Sequence, residues 1–426
     1  MTMLTKYPAY KESGIKWLGK IPEHWELTRI KHIFYVSKKF NKDKTPSVLS
    51  LTKKGILQRD ISSNEGQMAE SYVGYNIVEK DDIIFNPMDL IAGYVAKSNF
   101  EGVISHAYTL LKPRKNELAL SYHEKYFQNW YHQGTLFHLG KGVSFENRWT
   151  LNNTTLMSLH IPVPPLDESN NISVFIDKKT AQIDTAVTQK TELIARLKER
   201  RQILIDNAVT RGIDPAAAMK ESGLPWIGQI PAHWEIKRAK YLFHEVDERS
   251  ATGEEELLSV SHLTGITPRS EKNVSMFMAE DYSGSKICRK NDLVFNIMWA
   301  WMGALGVSDR TGIVSPSYGV YRQKQAQAFN PIYLEHLLGS SEYVAEYNRR
   351  STGLHSSRLR LYSHMFFNMY IGFPPKEEQE KIVQYIRSNS EKIDHAIALQ
   401  QQQIEKLHEY KATLIDACVT GKVKVP

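Results

Sequence analysis

Cysteine is nearly absent. The 426 residues contain only Cys288 and Cys418, in unlike parts of the chain, which argues against a disulfide framework and for a reducing compartment. Long hydrophobic runs are missing as well: no apolar stretch reaches 18 residues, and the opening MTMLTKYPAYKESG has no apolar core of signal-peptide length. The expectation is a soluble, cytoplasmic chain with no membrane partner. The loops that carry several enzyme chemistries are missing too. No GxxxxGK[ST] phosphate loop occurs, no GxGxxG turn follows a strand pattern, and neither HExxH nor a Cys/His cluster of zinc-ligand spacing is present. No catalytic residue, metal ligand or cofactor of the chain's own is expected.

Two further absences are local. Neither Gly nor Pro occurs from 167 to 211 or from 376 to 420. Each stretch is 45 residues, about 67 Å as one helix at ~1.5 Å per residue. Pro164-Pro165 and Pro374-Pro375 mark where the helices begin, and a kink or short break is expected near 178–180 and 388–390.

What is present is a repetition. Residues 10–34, YKESGIKWLGKIPEHWELTRIKHIF, match 219–243, MKESGLPWIGQIPAHWEIKRAKYLF, at 14 of 25 positions. A second block pairs KDDIIFNPM (80–88) and GVISHAY with KNDLVFNIM (290–298) and GIVSPSY. A third pairs 159–184 with 369–394 and ends in LIDNAVT and LIDACVT. An offset near 210 is domain-sized, far beyond the period of a solenoid. With 42% hydrophobic residues each copy can bury a core. Short apolar runs between Gly, Pro, Asn and Ser make the interior of each copy strand-rich.

The long helical stretches carry a heptad. The 4-3 spacing runs Ile183, Val187, Lys190, Ile194, Leu197, Arg201, Leu204 in the first and Ile393, Ile397, Gln400, Ile404, Leu407, Lys411, Leu414 in the second. Polar residues take the same two positions in both, as in seams that fix register. Either the helices pack on each other along this seam, or each is amphipathic and packs on its own domain. An antiparallel pair would place the globular domains at opposite ends. The fold expected is α+β: two pseudo-symmetric globular domains separated by a pair of long antiparallel coiled-coil helices. The divisions are 1–25 and 159–234 as scaffold, 26–158 and 235–368 as globular domains, and 369–426 as the distal helical region. Joining the tail LIDACVTGKVKVP to the head recreates the internal junction after LIDNAVT, which predicts a cyclic pseudo-two-fold organisation with neighbouring termini.

The net charge of +7 is a mild pointer to an anionic partner. Its distribution says more. Arg29, Lys31, Lys38, Lys39, Lys42, Lys44, Lys53, Lys54 and Arg59 fall within 28–60 against Asp43 and Asp60 alone. Arg349, Arg350, Arg358 and Arg360 share a twelve-residue stretch without an acid, together with Ser357. Its counterpart holds Lys141, Ser144, Asn147 and Arg148. Basic, polar, Gly-containing loops suit phosphate and base-edge contacts in duplex DNA; a solvated face is the plainer reading of any one such charge. His24 and His233, each between a Pro-containing turn and a Trp, read as packed, hydrogen-bonded histidines. Trp299 and Trp301, where the first copy has Asp89 and Ile91, read as core. Asn86-Pro87-Met88 shares two residues with the Asn-Pro-Pro-aromatic tetrapeptide of amino-methyltransferases; Asn296-Ile297-Met298 lacks even the Pro, and both read as strand ends.

The blocks WLGKIPEHWE and WIGQIPAHWE, with IPVPPLDE and IGFPPKEEQ leading into long helices, resemble the specificity subunits of type I restriction-modification enzymes over essentially the whole chain. The resemblance implies that each globular domain is a target-recognition domain reading half of a split DNA site. It implies that the helices set the spacer and dock two modification (methyltransferase) subunits, to which restriction (translocase and nuclease) subunits add. S-adenosylmethionine and ATP with Mg would then belong to those partners. Dissimilar recognition segments on similar scaffolds imply an asymmetric bipartite target, and the heptad portion, about 40 Å long, matches roughly one DNA turn. Two competing readings remain: a coiled-coil adaptor that binds no DNA, and a self-contained nuclease or methyltransferase.

Overall fold

The computed structural model describes residues 5–43, 46–60, 69–90, 93–115, 117–141, 150–272, 281–353, 355 and 359–426. The chain divides into two compact units, one of residues 1–191 with 401–426 and one of residues 192–400. Each unit joins one globular segment to part of both long helices.

Each unit is built round a four-stranded antiparallel sheet of the same strand order. In the first it runs Phe34–Val36, Thr109–Pro113, Ile83–Phe85, Val95–Lys97; in the second Phe243–Glu245, Gly319–Gln323, Leu293–Phe295, Leu305–Val307. The KDD/KND block explains itself at these sheets. Asp81 and Asn291 hold the left-handed backbone, with φ of 71° and 72°, which Asp and Asn tolerate better than other non-glycine residues. The next residue, Asp82 or Asp292, is buried. Its carboxylate accepts the backbone N–H of Glu79 or Arg289, each at 2.8 Å. It also pairs with a cation on the neighbouring strand, Lys112 at 3.0 Å or Arg322 at 2.7 Å. A buried charge needs such partners.

Smaller strand pairs tie the repeated blocks together. Glu26–Arg29 pairs with His160–Val163, and Glu235–Arg238 with Tyr370–Phe373, so each first block is stitched to its third. Hairpins Leu49–Thr52/Gly55–Gln58 and Leu258–Ser261/Gly265–Pro268 project from the two units.

The helices expected from the missing Gly and Pro run Leu166–Arg211 and Lys376–Val419. No break interrupts either near 178–180 or 388–390, because nothing there withdraws a backbone donor. Both packing modes open in the sequence occur. In the first unit Ile172, Ile176 and Ile183 share one core with Trp25, Phe34 and Tyr122, and Leu414, Cys418 and Val419 enter it from the second helix. In the second unit Ile205, Ala208 and Val209 meet Ile382, Ile386 and Trp234. The last turns are pinned alike: Tyr122 Oη donates to Val419 O at 2.7 Å, and Tyr333 Oη to Val209 O at 3.0 Å. The Asp of LIDNAVT and LIDACVT also faces its globular segment. Asp416 accepts from Asn129 Nδ2 at 2.9 Å, and Asp206 accepts from the hydroxyl of Ser341.

Head and tail meet within the first unit. Thr5 and Lys424 form an antiparallel bridge, with Lys424 N donating to Thr5 O at 2.7 Å, and Tyr10 Oη donates to Lys422 O at 3.2 Å. Gly421 and Gly212 take equivalent positive φ, 74° and 76°. A Cβ would fall 2.4 Å from Pro22 at Gly421 and 3.5 Å from Pro231 at Gly212. The junction at the termini repeats the internal one. Fusing the termini and opening the chain within 213–218 is therefore expected to give a permutant with one cooperative unfolding transition at near-native urea midpoint, read by circular dichroism; an unfolded product would show that the junctions are not equivalent.

Candidate nucleic-acid interface

The frame on which any contact surface sits is fixed by one carboxylate per unit. Glu168, at the start of the first long helix, accepts hydrogen bonds from Tyr7 Oη at 2.6 Å and Trp25 Nε1 at 3.1 Å, and its other oxygen lies 2.7 Å from His24 Nε2. Glu378 repeats this with Trp234 Nε1 at 3.1 Å and His233 Nε2 at 2.6 Å. The HWE and PPxxE blocks are thus two halves of one joint. His24 and His233 are hydrogen-bonded as the sequence predicts, with about half of each side chain still exposed. Burial pushes the Glu168 carboxyl upward, but the bonds from Tyr7, His24 and Trp25 outweigh it and leave the group below its ordinary range.

The seam residues lie as follows. Ile183, Ile404 and Leu414 are buried, and Val187, Lys190, Ile194, Leu197, Arg201, Leu204, Ile393, Ile397, Gln400, Leu407 and Lys411 are half-buried. The polar members meet across the pair. Lys411 Nζ lies 2.7 Å from Asp184 in the first unit, and Arg201 Nη1 lies 3.1 Å from Asp394 in the second. These contacts are counterparts, Asp184 to Asp394 and Arg201 to Lys411, and fix an antiparallel register. Lys190 donates to Gln403.

The predicted basic residues separate into distinct groups. Lys53 and Lys54 form the tip of the first hairpin, both exposed, with Gly55 at φ 100° closing the turn and Lys54 N donating to Thr52 Oγ1 at 3.1 Å. Lys53 also lines a cavity of about 560 Å³ with Lys125, His132, His408 and Lys411. At the same place the second unit shows His262 and Leu263, the latter 81% exposed. Lys38 is exposed; Arg59 is half-buried and engaged within the fold. Lys39 is bound to Glu79 at 3.0 Å. Lys141 is exposed and bridged to Thr150, and Arg360 is exposed and bridged to Thr352. Ser144, Asn147, Arg148, Ser357 and Arg358 lie outside the described residues.

Arg349 and Arg350 are not the free cations that their run in the sequence implies. Both clamp Glu346, whose side chain is only 1% exposed, Arg349 through two bonds of 2.7 Å. Burial raises the Glu346 carboxyl, and the two guanidiniums more than reverse it. Sequence reasoning counted the arginines and passed over the acid one helical turn away. A second correction concerns Trp299, expected in the core: it is 49% exposed, whereas Ala300 beside it is buried. Among the described residues no cluster of three or more His, Cys, Asp or Glu could hold a metal, and no helix is long and apolar enough to cross a membrane.

The family model for the type I restriction modification DNA specificity domain matches residues 22–200, and the second unit repeats the elements of that segment strand for strand. The MjaVIII type I restriction enzyme specificity subunit of Methanocaldococcus jannaschii is 22% identical, with 98% of this chain and 97% of its own length aligned. Over nearly its whole length the chain is similar to type I restriction-modification specificity subunits, and its segment 22–200 matches their DNA specificity domain. Two solved structures share the fold. A chain from a study of complex assembly and conformational transition of the type I R-M system superposes with a TM-score of 0.62 at 14% identity, covering 94% of this chain and 98% of that one. The HsdS subunit from Thermoanaerobacter tengcongensis gives 0.53 at 13% identity, over 96% and 99%.

The Glu168 joint is open to test. Glu168→Gln removes the charge that organises three donors, and a hydrogen bond to a charged group contributes about 1.5–3 kcal/mol. A loss of about that size in urea unfolding is expected at neutral pH. Because the folded carboxyl lies below its ordinary pKa of about 4.3, its contribution is complete above that value and disappears as pH falls through the lowered folded value. The gap between the two proteins should close on acidification over that window; a gap independent of pH would show that the charge is not the cause.

Proposed function

We propose that this specificity subunit reads an asymmetric bipartite duplex site, one half with each globular segment, divided as 26–158 and 235–368. The observation that carries this reading is the contrast between frame and tip. The carboxylate joints, buried aspartates and strand orders repeat, while the projecting hairpins present Lys53-Lys54 in one unit and His262-Leu263 in the other. Equal frames with unlike tips suit two different half-sites. Lys38, Lys53, Lys54, Lys141 and Arg360, with Ser144, Asn147, Arg148, Ser357 and Arg358 of the neighbouring sequence, supply the phosphate and base contacts. Arg349 and Arg350 together offset a single carboxylate and add one net positive charge beside them.

The paired helices, regions 159–234 and 369–426, serve as the spacer and as the seat for two methyltransferase subunits, to which restriction subunits add in a cytoplasmic assembly. S-adenosylmethionine and ATP with Mg belong to those partners. The fold shared with a chain described in the assembly of a type I R-M system supports this.

Two outcomes are expected of the assembled methyltransferase. Lengthening both helices by one heptad changes the spacer in the methylated sites and leaves the half-site bases as they were; methylome sequencing that returned new half-site bases would refute the spacer role. Replacing Lys53 and Lys54 by Ala weakens duplex binding uniformly across sequences and lowers the slope of log K against log salt by about 1 to 2, since each phosphate contact contributes close to one; an unchanged slope would remove this hairpin from the interface.

A further inference from the structure

The loop between Phe295 and Leu305 holds an indole in water. Trp299 is 49% exposed, although a tryptophan can bury roughly 150–250 Å². Slackness does not explain it. Trp299 N donates to Asn296 O at 2.9 Å, and its own carbonyl accepts from Met302 N at 3.0 Å and Ala304 N at 3.2 Å. The Trp301 ring stacks on it, with centroids 6.4 Å apart and planes 15° from parallel, and is itself anchored by Nε1 donating to Met298 O at 3.0 Å. Gly303 turns the chain at φ 83° under the Val344 side chain. The exposed ring is pre-organised, so little conformational freedom remains to be lost on contact.

Its surroundings are basic and aromatic. Leu361 N donates to Ile297 O at 3.0 Å, which lays the segment carrying exposed Arg360 and Tyr362 along this loop. Tyr362 stacks on His364 at 6.1 Å. On the loop's opening residue, Asn296 Nδ2 donates to Tyr318 Oη at 3.0 Å, and the Arg269 charge acts on that hydroxyl. Neither Arg269 nor Arg360 has a carboxylate partner among the described residues. The equivalent position in the first unit is Asp89, on the same local frame: Asn86 and Asn296 each accept the N–H of the Met two residues on, at 3.0 and 3.3 Å. One unit carries a carboxylate there and the other an indole.

We propose that Trp299 is a specificity-determining residue of the second unit, its exposed face packing against a base step of the half-site which that unit reads while Arg360 holds the adjoining phosphate. Aromatic and apolar side chains make such contacts by stacking on bases or wedging between steps. Charge complementarity favours DNA over a protein partner, since two arginines without a carboxylate partner among the described residues lie on segments tied to this loop. The assignment rests on the reading that each unit contacts one half-site.

The test uses the full chain assembled with its methyltransferase. Trp299→Ala should weaken cognate duplex binding by about tenfold or more and relax methylation specificity in one half-site only. The slope against log salt should stay unchanged, because no phosphate contact is lost. Trp299→Phe should retain most of the specificity and abolish the part of the DNA-induced fluorescence quench that this indole contributes. Unaltered affinity and methylation pattern in Trp299→Ala would overturn the proposal. So would weakened methyltransferase capture with both half-sites intact, which would make the ring a protein contact. If the unaltered complex itself showed no sequence-specific DNA binding, the functional reading would fail first and the assignment with it.

Discussion

A carboxylate at the first turn of each long helix, bonded to the indole and imidazole of a His-Trp pair, is the constraint on which the rest of the fold depends. Burying a tryptophan is worth roughly 4–6 kcal/mol in gross terms, from about 150–250 Å² at about 25 cal/mol per Å². The hydrogen bonds to the carboxylate add less, on the order of 1.5–3 kcal/mol. Apolar burial therefore drives Trp25 and Trp234 inward, and Glu168 and Glu378 decide how they sit. The pairing of Glu26–Arg29 with His160–Val163, and of its counterpart, then brings the entry and exit of each globular segment to the base of a helix.

From that joint the order propagates along the helices. Their apolar faces are shared between two tasks, covering a globular core at the ends and facing the partner helix along the seam. The charged seam contacts, Lys411 with Asp184 and Arg201 with Asp394, are partly exposed and contribute little stability. What they fix is register: a slip of one residue would separate both pairs. A duplicated chain can use one device twice, because each contact is the image of the other.

The frame changes conservatively between the copies, and the changes of chemical character fall at positions that it does not need. Hairpin tips and the loop leaving Ile83–Phe85 or Leu293–Phe295 can change without disturbing a buried carboxylate. Cation counting located these regions only in part. Lys39, Arg349 and Arg350 are engaged by Glu79 and Glu346, acids that are close in space or one turn away on a helix. A run of arginines reports charge, and its availability depends on neighbours that a run does not display.

The sequence by itself determined the duplication and the two long helices, because these follow from local rules: helix breakers excluded over 45 residues and motifs repeated at a fixed offset. It also determined that the head continues the tail, since the junction motif is split between the two ends. Only the tertiary structure decided that HWE and PPxxE are one site, because their partners lie some 144 residues apart and no periodicity links them. Only the structure could place Trp299 outside, since a strand-flanked tryptophan is core by residue type. Its exposure is imposed by a loop pinned at Asn296, Ile297 and Gly303, hydrogen bonds and a left-handed turn that act across the fold rather than along it.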